Sequence, residues 1–154
     1  MDDTYYMSLA LLEAENAVKR GDVPVGALLV RNGEVLAAAS NAKANDPTAH
    51  AEIRAMRLGS QFLGSWNLRD CTLYVTLEPC PMCAGACINA RLGSLVFGAW
   101  DPKAGAAGTL YDILRDTRLN HRCEVRSGVL EARCSGILKD YFIERRKVRY
   151  PVRS

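Results

Sequence analysis

Two short segments constrain this chain more than any other feature. They are His50-Ala51-Glu52 and Pro79-Cys80-Pro81-Met82-Cys83, with 27 residues between Glu52 and Cys80. One imidazole and two thiolates make three ligands for a soft divalent cation. Three protein ligands leave one tetrahedral position open, the catalytic zinc pattern, whereas structural sites are closed by a fourth. Two thiolates also balance the charge of Zn²⁺. His50 and Cys80 each stand at the expected start of a helix. Both helix N-termini would then add partial positive charge at one point and favour thiolate there. A fold that uses both segments must therefore bring two helix starts together.

Glu52 is not spaced as a ligand. Positions i and i+2 of a regular helix do not share a face, so His50 and Glu52 can converge only past the end of the helix. A carboxylate there can take a proton from a water activated by the metal. It can then pass that proton to a ring nitrogen and to a leaving amine, which is general acid–base work. Each piece has a plainer reading. His-x-Glu alone is common, C-x-x-C alone suits redox chemistry, and Cys87 or His121 are possible fourth ligands of a closed site. In combination, with a proline before the first cysteine, the pattern is that of a zinc-dependent nucleobase deaminase.

The rest of the chain supplies the frame. The length of 154 residues suits one domain, taken as 1–154, and 49% hydrophobic with 24% charged residues is ordinary for a globular protein. No apolar run approaches a membrane span, and the N-terminus lacks the order of a signal peptide, so the expected location is cytoplasmic. Without a secretory signal a disulfide framework is not expected; Cys71, Cys87, Cys123 and Cys134 read as small buried hydrophobes. The net charge of +3 is uneven. Residues 139–154 hold six basic residues (Lys139, Arg145, Arg146, Lys147, Arg149 and Arg153) against Asp140 and Glu144. That tail carries +4 and the remainder −1, which favours a polyanionic partner or, equally, a solvated helix face.

Met7, Leu11, Ala14 and Val18 mark one face of a first helix, with Thr4 as its cap and Gly21 as its end. Residues 25–30 and 34–40 flank Asn32-Gly33, a hairpin signal. Asp46-Pro47-Thr48 opens a second helix over 49–58, with Gly59 as its stop. Strands are expected at 72–76, 94–98 and 123–126. A third helix spans 82–90 after Pro81, a loop covers 101–109, and a short helix falls near 112–115. A closing basic helix runs over 130–150. This alternation predicts an α/β layer fold with a central sheet.

The segments Asp46-Pro47-Thr48-Ala49-His50-Ala51-Glu52-Ile53 and Leu77-Glu78-Pro79-Cys80-Pro81-Met82-Cys83-Ala84-Gly85-Ala86 resemble the bacterial tRNA-specific adenosine deaminases. So do Val96-Phe97-Gly98-Ala99, Gly105-Ala106-Ala107-Gly108 and Leu119-Asn120-His121-Arg122. The resemblance implies a cytidine-deaminase-like three-layer fold, with a five-stranded mixed sheet and helices on both faces. It implies a homodimer, one zinc per chain, and deamination of the wobble adenosine to inosine in an arginine tRNA anticodon. His50, Cys80 and Cys83 match the zinc ligands and Glu52 the proton shuttle. Asn41 matches the side chain on the flipped base. Asp101, Asn120, Phe142 and Arg145 fall where the family holds the anticodon loop. Trp100 departs from the polar residue more often found there, and Cys87 receives no role.

Three other readings remain at this point. A zinc deaminase of free cytosine, cytidine or guanine would have no use for the basic tail. A zinc-stabilised RNA-binding module would have no use for Glu52. A thiol–disulfide oxidoreductase built on Cys80 and Cys83 would leave His50 and Glu52 idle.

Overall fold

The computed structural model describes residues 2–149, with side chains through 147. The side chain of Arg149 and all of Arg153 lie outside the described residues. In chain order the elements are α1 (Asp3–Lys19), β1 (Gly26–Arg31), β2 (Glu34–Ser40), α2 (Ala51–Leu63), β3 (Cys71–Leu77), α3 (Pro81–Asn89), β4 (Ser94–Ala99), β5 (Glu124–Arg126) and α4 (Glu131–Arg149). Asn32 and Gly33 both take positive φ, 49° and 77°, and turn β1 into β2 as an Asn-Gly hairpin should.

The five strands form one sheet in the order β2-β1-β3-β4-β5. β1 pairs antiparallel with β2 and β3, while β3, β4 and β5 run parallel. Alternation along each strand feeds two cores. Leu29, Leu73, Leu95 and Phe97 point to the side that holds Ala55 and Met56 of α2 and Ile88 of α3. Leu28, Tyr74 and Val96 point to the other, with Met7 and Leu11 of α1 and Cys134 of α4. The result is the expected three-layer α/β fold with a mixed five-stranded sheet. Gly98 brings α4 against β4, since a Cβ there would collide with the Cys134 side chain. No helix among the described residues is long and apolar enough to cross a membrane.

Four local expectations need correction. Asp2, not Thr4, caps α1: its Oδ1 accepts from the Tyr5 backbone N–H at 3.0 Å. Val18 is exposed, and Ala10 and Ala17 complete the buried stripe instead. Gly59 lies inside α2, where a Cβ would strike Leu29 Cδ2, and the helix ends at Gly64 with φ 66°. Gly59 therefore marks a close helix–sheet approach, not a stop. Residues 112–115 form no helix; Asp112 bridges Ala107, and its carboxylate holds Arg115.

One long-range ion pair ties the start of α1 to the sheet. Arg126 of β5 donates from Nε to Asp3 Oδ2 at 2.7 Å and from Nη2 to Oδ1 at 3.1 Å. Tyr74 Oη of β3 donates to Asp3 Oδ1 at 2.8 Å. The Arg126 guanidinium is the main cause that holds the Asp3 carboxyl below the usual aspartate range. A depressed pKa stabilises the fold above the unfolded value, about 4, and that stability is lost as pH falls through the lowered value. The pair is partly exposed, so solvent screening limits it to about 1 kcal/mol or less. Asp3→Asn should therefore lower stability to denaturant at pH 7 by up to about that amount. The difference from wild type should shrink below about pH 4. An undiminished difference at pH 2 would remove the ion pair as its cause.

Candidate active site

His50 and Cys80 occupy equivalent places. Each is the N-cap of its helix, with extended backbone (φ −69°, ψ 154° and φ −72°, ψ 172°). Neither makes a side-chain cap hydrogen bond. Their side chains are turned to each other instead. Cys80 Sγ lies 3.6 Å and Cys83 Sγ 3.5 Å from His50 Nδ1. All three ligand atoms lie within 4.8 Å of one another. A tetrahedral cation bonded to nitrogen at about 2.0 Å and sulfur at about 2.3 Å sets those atoms about 3.5 Å apart. The donor set and its spacing therefore fit a bound metal. Among the described residues no fourth ligand joins the cluster. His121 Nε2 is engaged by the Leu92 carbonyl at 2.7 Å, and Cys87 is fully buried. Neither closes the site.

The electrostatics favour ligation. A hydrogen bond from the Cys83 thiol, with help from His50, pulls the Cys80 thiol down to about 4 despite its burial. The same bond, and then burial, hold the proton on Cys83. A divalent cation at this point would displace that proton too.

Glu52 sits in the first turn of α2 and is 4% exposed. Burial pushes its carboxyl up to about 7, against the pull of its own backbone N–H, His50 and Cys83. His50 and Glu52 reach one point because His50 is outside the helix and Glu52 is inside its first turn. Asn41 closes the arrangement from below. Its Oδ1 accepts from the Ala51 backbone N–H at 2.8 Å, one of the first-turn donors that has no partner within the helix. That leaves the Asn41 amide nitrogen as a donor.

Glu78 is a residue that sequence reasoning passed over. Its carboxylate is 1% exposed and accepts from the backbone N–H of Asp101 (2.9 Å), Ala107 (3.0 Å) and Thr109 (3.0 Å), and from the Thr109 hydroxyl (2.5 Å). A Cβ at Gly105 would strike the same carboxylate. Ala106 N–H adds a bond to Pro79 O at 2.8 Å. Leu77 and Ala99 pair at the ends of β3 and β4, so both following loops leave the same edge of the sheet. Glu78 fastens them together. The available signal was a carboxylate directly before Pro79-Cys80, at the end of an apolar strand.

Of the candidate RNA residues, Asp101, Phe142 and Arg145 line one groove of about 1400 Å³ between the 101–109 loop and α4. Asp101 also begins a turn, its Oδ1 accepting from Lys103 and Ala104 N–H. Phe142 is 48% exposed, so it is not core. Arg145 rests over the Tyr141 ring at 5.9 Å. Asn120 is exposed and lies outside that groove. Glu144 pairs with Lys147, and among the described residues Arg145 and Arg146 are in no ion pair.

Fold and site together define a deaminase, and a model of the MafB19-like deaminase family matches residues 1–146. The chain is 50% identical over 147 residues to the tRNA-specific adenosine deaminase of Bacillus subtilis (strain 168), covering 94% of this chain and 91% of that one. The tRNA-specific adenosine deaminase of Haemophilus influenzae is 45% identical over 148 residues, covering 94% and 86%. A structure from a study of A-to-I editing by tRNA:A34 deaminases at the wobble position superposes with a TM-score of 0.84 at 44% identity. It covers 88% of this chain and 99% of that chain. Guanine deaminase from Bacillus subtilis superposes with a TM-score of 0.63 at 38% identity, covering 71% of each chain. The chain belongs to the tRNA-specific adenosine deaminases.

The Glu78 clamp predicts a specific failure. Glu78→Gln keeps the volume but turns an N–H₂ toward at least one backbone N–H. The 101–109 loop should then gain fast amide hydrogen exchange at Asp101, Ala107 and Thr109, while α1 and β1 stay protected. Unchanged exchange at those three amides would show that the loop does not depend on the clamp.

Proposed function

We propose that this chain hydrolyses the wobble adenosine of a tRNA anticodon loop to inosine and ammonia, with an arginine tRNA as substrate. The observation that carries this reading is the buried Glu52 beside three convergent ligand atoms, in a chain otherwise so similar to the tRNA-specific adenosine deaminases. His50, Cys80 and Cys83 would hold one zinc per chain. Bound zinc supplies a Lewis acid that makes water nucleophilic near neutral pH.

Glu52 does the proton work. As the water oxygen bonds to C6 of adenine, Glu52 takes a proton from it and delivers one to N1. It next carries the second water proton to the exocyclic amine. The C6–N6 bond breaks, ammonia leaves, and C6 keeps the oxygen as the inosine carbonyl. A carboxyl held near 7 can accept and release protons at neutral pH, which suits a shuttle. The amide nitrogen of Asn41 would donate to the splayed base. An anticodon loop is already unpaired, so extrusion of the nucleotide costs little. Asp101, Phe142 and Arg145 in the groove beside α4, with Asn120 outside it, would hold the surrounding loop. A tRNA substrate supports a cytoplasmic location.

A homodimer is part of this proposal. Leu58 and Phe62, one turn apart on α2, are 44% and 67% exposed, and Met82 of α3 is 37% exposed. A second copy would cover such apolar surface. Sedimentation at assay concentration should give twice the chain mass, and a fully active monomer would exclude this.

The direct test is to incubate zinc-loaded protein with an arginine-tRNA anticodon stem-loop and analyse the nucleosides. Inosine is expected at the wobble position, with free cytidine and guanine unchanged. Glu52→Gln should fold, keep its zinc and lower inosine formation by a factor of at least ~10². Near-wild-type turnover by that variant, or preference for a free base, would overturn the mechanism.

A further inference from the structure

Trp100 is 42% exposed at the end of β4, an unusual place for the largest apolar side chain. It is held firmly all the same. The Phe97 ring meets it edge-on at a centroid distance of 4.8 Å and an angle of 86°. Its benzo edge lies over Gly108, where a Cβ would sit 3.2 Å from Trp100 Cζ3. The backbone on both sides is fixed by one carboxylate. Glu78 accepts from Asp101, which follows Trp100, and from Ala107 and Thr109, which flank Gly108. The indole is therefore preorganised, and Trp100 lines the groove beneath α4.

The surroundings specify what covers it. Lys103, Lys139, Arg145 and Arg146 line the groove, against Asp101 as its one acid among the described residues. An apolar protein segment would desolvate those cations without compensation, and a second copy of the same groove would repel them. A polyanion with flat aromatic faces satisfies both the charge and the indole. Single-stranded nucleic acids are gripped by this pairing, with bases stacked on aromatic rings and phosphates on cations.

We infer that Trp100 is a stacking platform for a second unpaired base of the RNA, apart from the adenosine that reacts. Arg145 and Arg146 hold the phosphates beside it. This rests on the RNA substrate proposed above and adds a recognition point to it. Because every base has a π face, the platform selects for an unstacked nucleotide at one distance from the reactive one, not for its identity. That makes loop shape a determinant of substrate choice.

The test uses zinc-loaded protein carrying Glu52→Gln, so that the stem-loop is not turned over. Binding is measured at several salt concentrations. Trp100→Ala should weaken binding about 5- to 150-fold, and Trp100→Phe should restore most of it. Neither should change the slope of log affinity against log salt. Arg145→Ala with Arg146→Ala should flatten that slope by about 0.7 for each phosphate no longer neutralised. RNA should quench tryptophan fluorescence more in the Trp100 protein than in Trp100→Phe, where Trp66 is the one tryptophan left. Wild-type affinity in Trp100→Ala, or equal quenching in the two proteins, would overturn the platform. If the protein without Glu52→Gln still forms inosine, the RNA reading survives that result. A change of assembly state in Trp100→Ala without RNA would instead assign the indole to a protein interface and overturn it. Absence of inosine from the unsubstituted protein would remove both.

Discussion

At the start of α2 and of α3 the capping position is given up to chemistry. An N-cap side chain ordinarily accepts from a backbone N–H of the first turn and contributes about 1 kcal/mol. His50 and Cys80 cannot do this while their side chains face one another across 3.6 Å. Much of the surrounding structure follows from that exchange. Asn41, ten residues before Ala51, accepts from the Ala51 N–H and so satisfies one donor at the start of α2. Pro81 at the first position of α3 removes one N–H that would otherwise need a partner. Both helix starts also direct their partial positive charge at the two sulfurs, which favours thiolate there.

The sheet order explains why the two starts can meet. α2 and α3 lie on the same face and both begin at the edge where β3 and β4 end. Crevices outside the carboxyl ends of parallel strands are where α/β folds place their sites. Glu78 turns this edge into a rigid wall by accepting four hydrogen bonds from the neighbouring loop. A buried carboxylate is costly unless paired or fully bonded, and here the backbone of residues 101–109 does the bonding. The turn that leads from Glu78 to Cys80 and the 101–109 loop thus share one anchor.

Much of this was legible in the sequence because the signals were local. Asn32-Gly33, Pro81 and the apolar runs each dictate a backbone state by themselves. The His-x-Glu and C-x-x-C segments carry their own ligand chemistry, and their convergence follows once both are placed at helix starts. What was not legible depends on partners far along the chain. Gly59 reads as a helix stop until Leu29 is seen against it. Glu78 shows its role only once the 101–109 backbone closes over it. Residues 112–115 carry helix-compatible side chains, but the bridge from Asp112 to Ala107 takes their backbone elsewhere. Phe142 is an aromatic residue on a basic helix, and only the position of α4 shows that it is exposed.

Everything at this site depends on two helix starts that bring one nitrogen and two sulfurs to one point, where a single zinc would bind with one position left for water. X-ray absorption at the zinc edge of the purified protein measures that arrangement directly. Two sulfurs at about 2.3 Å and one imidazole nitrogen at about 2.0 Å are expected, with one further light-atom ligand. A third sulfur, which would bring Cys87 into the site, or a second imidazole, which would bring in His121, would contradict it.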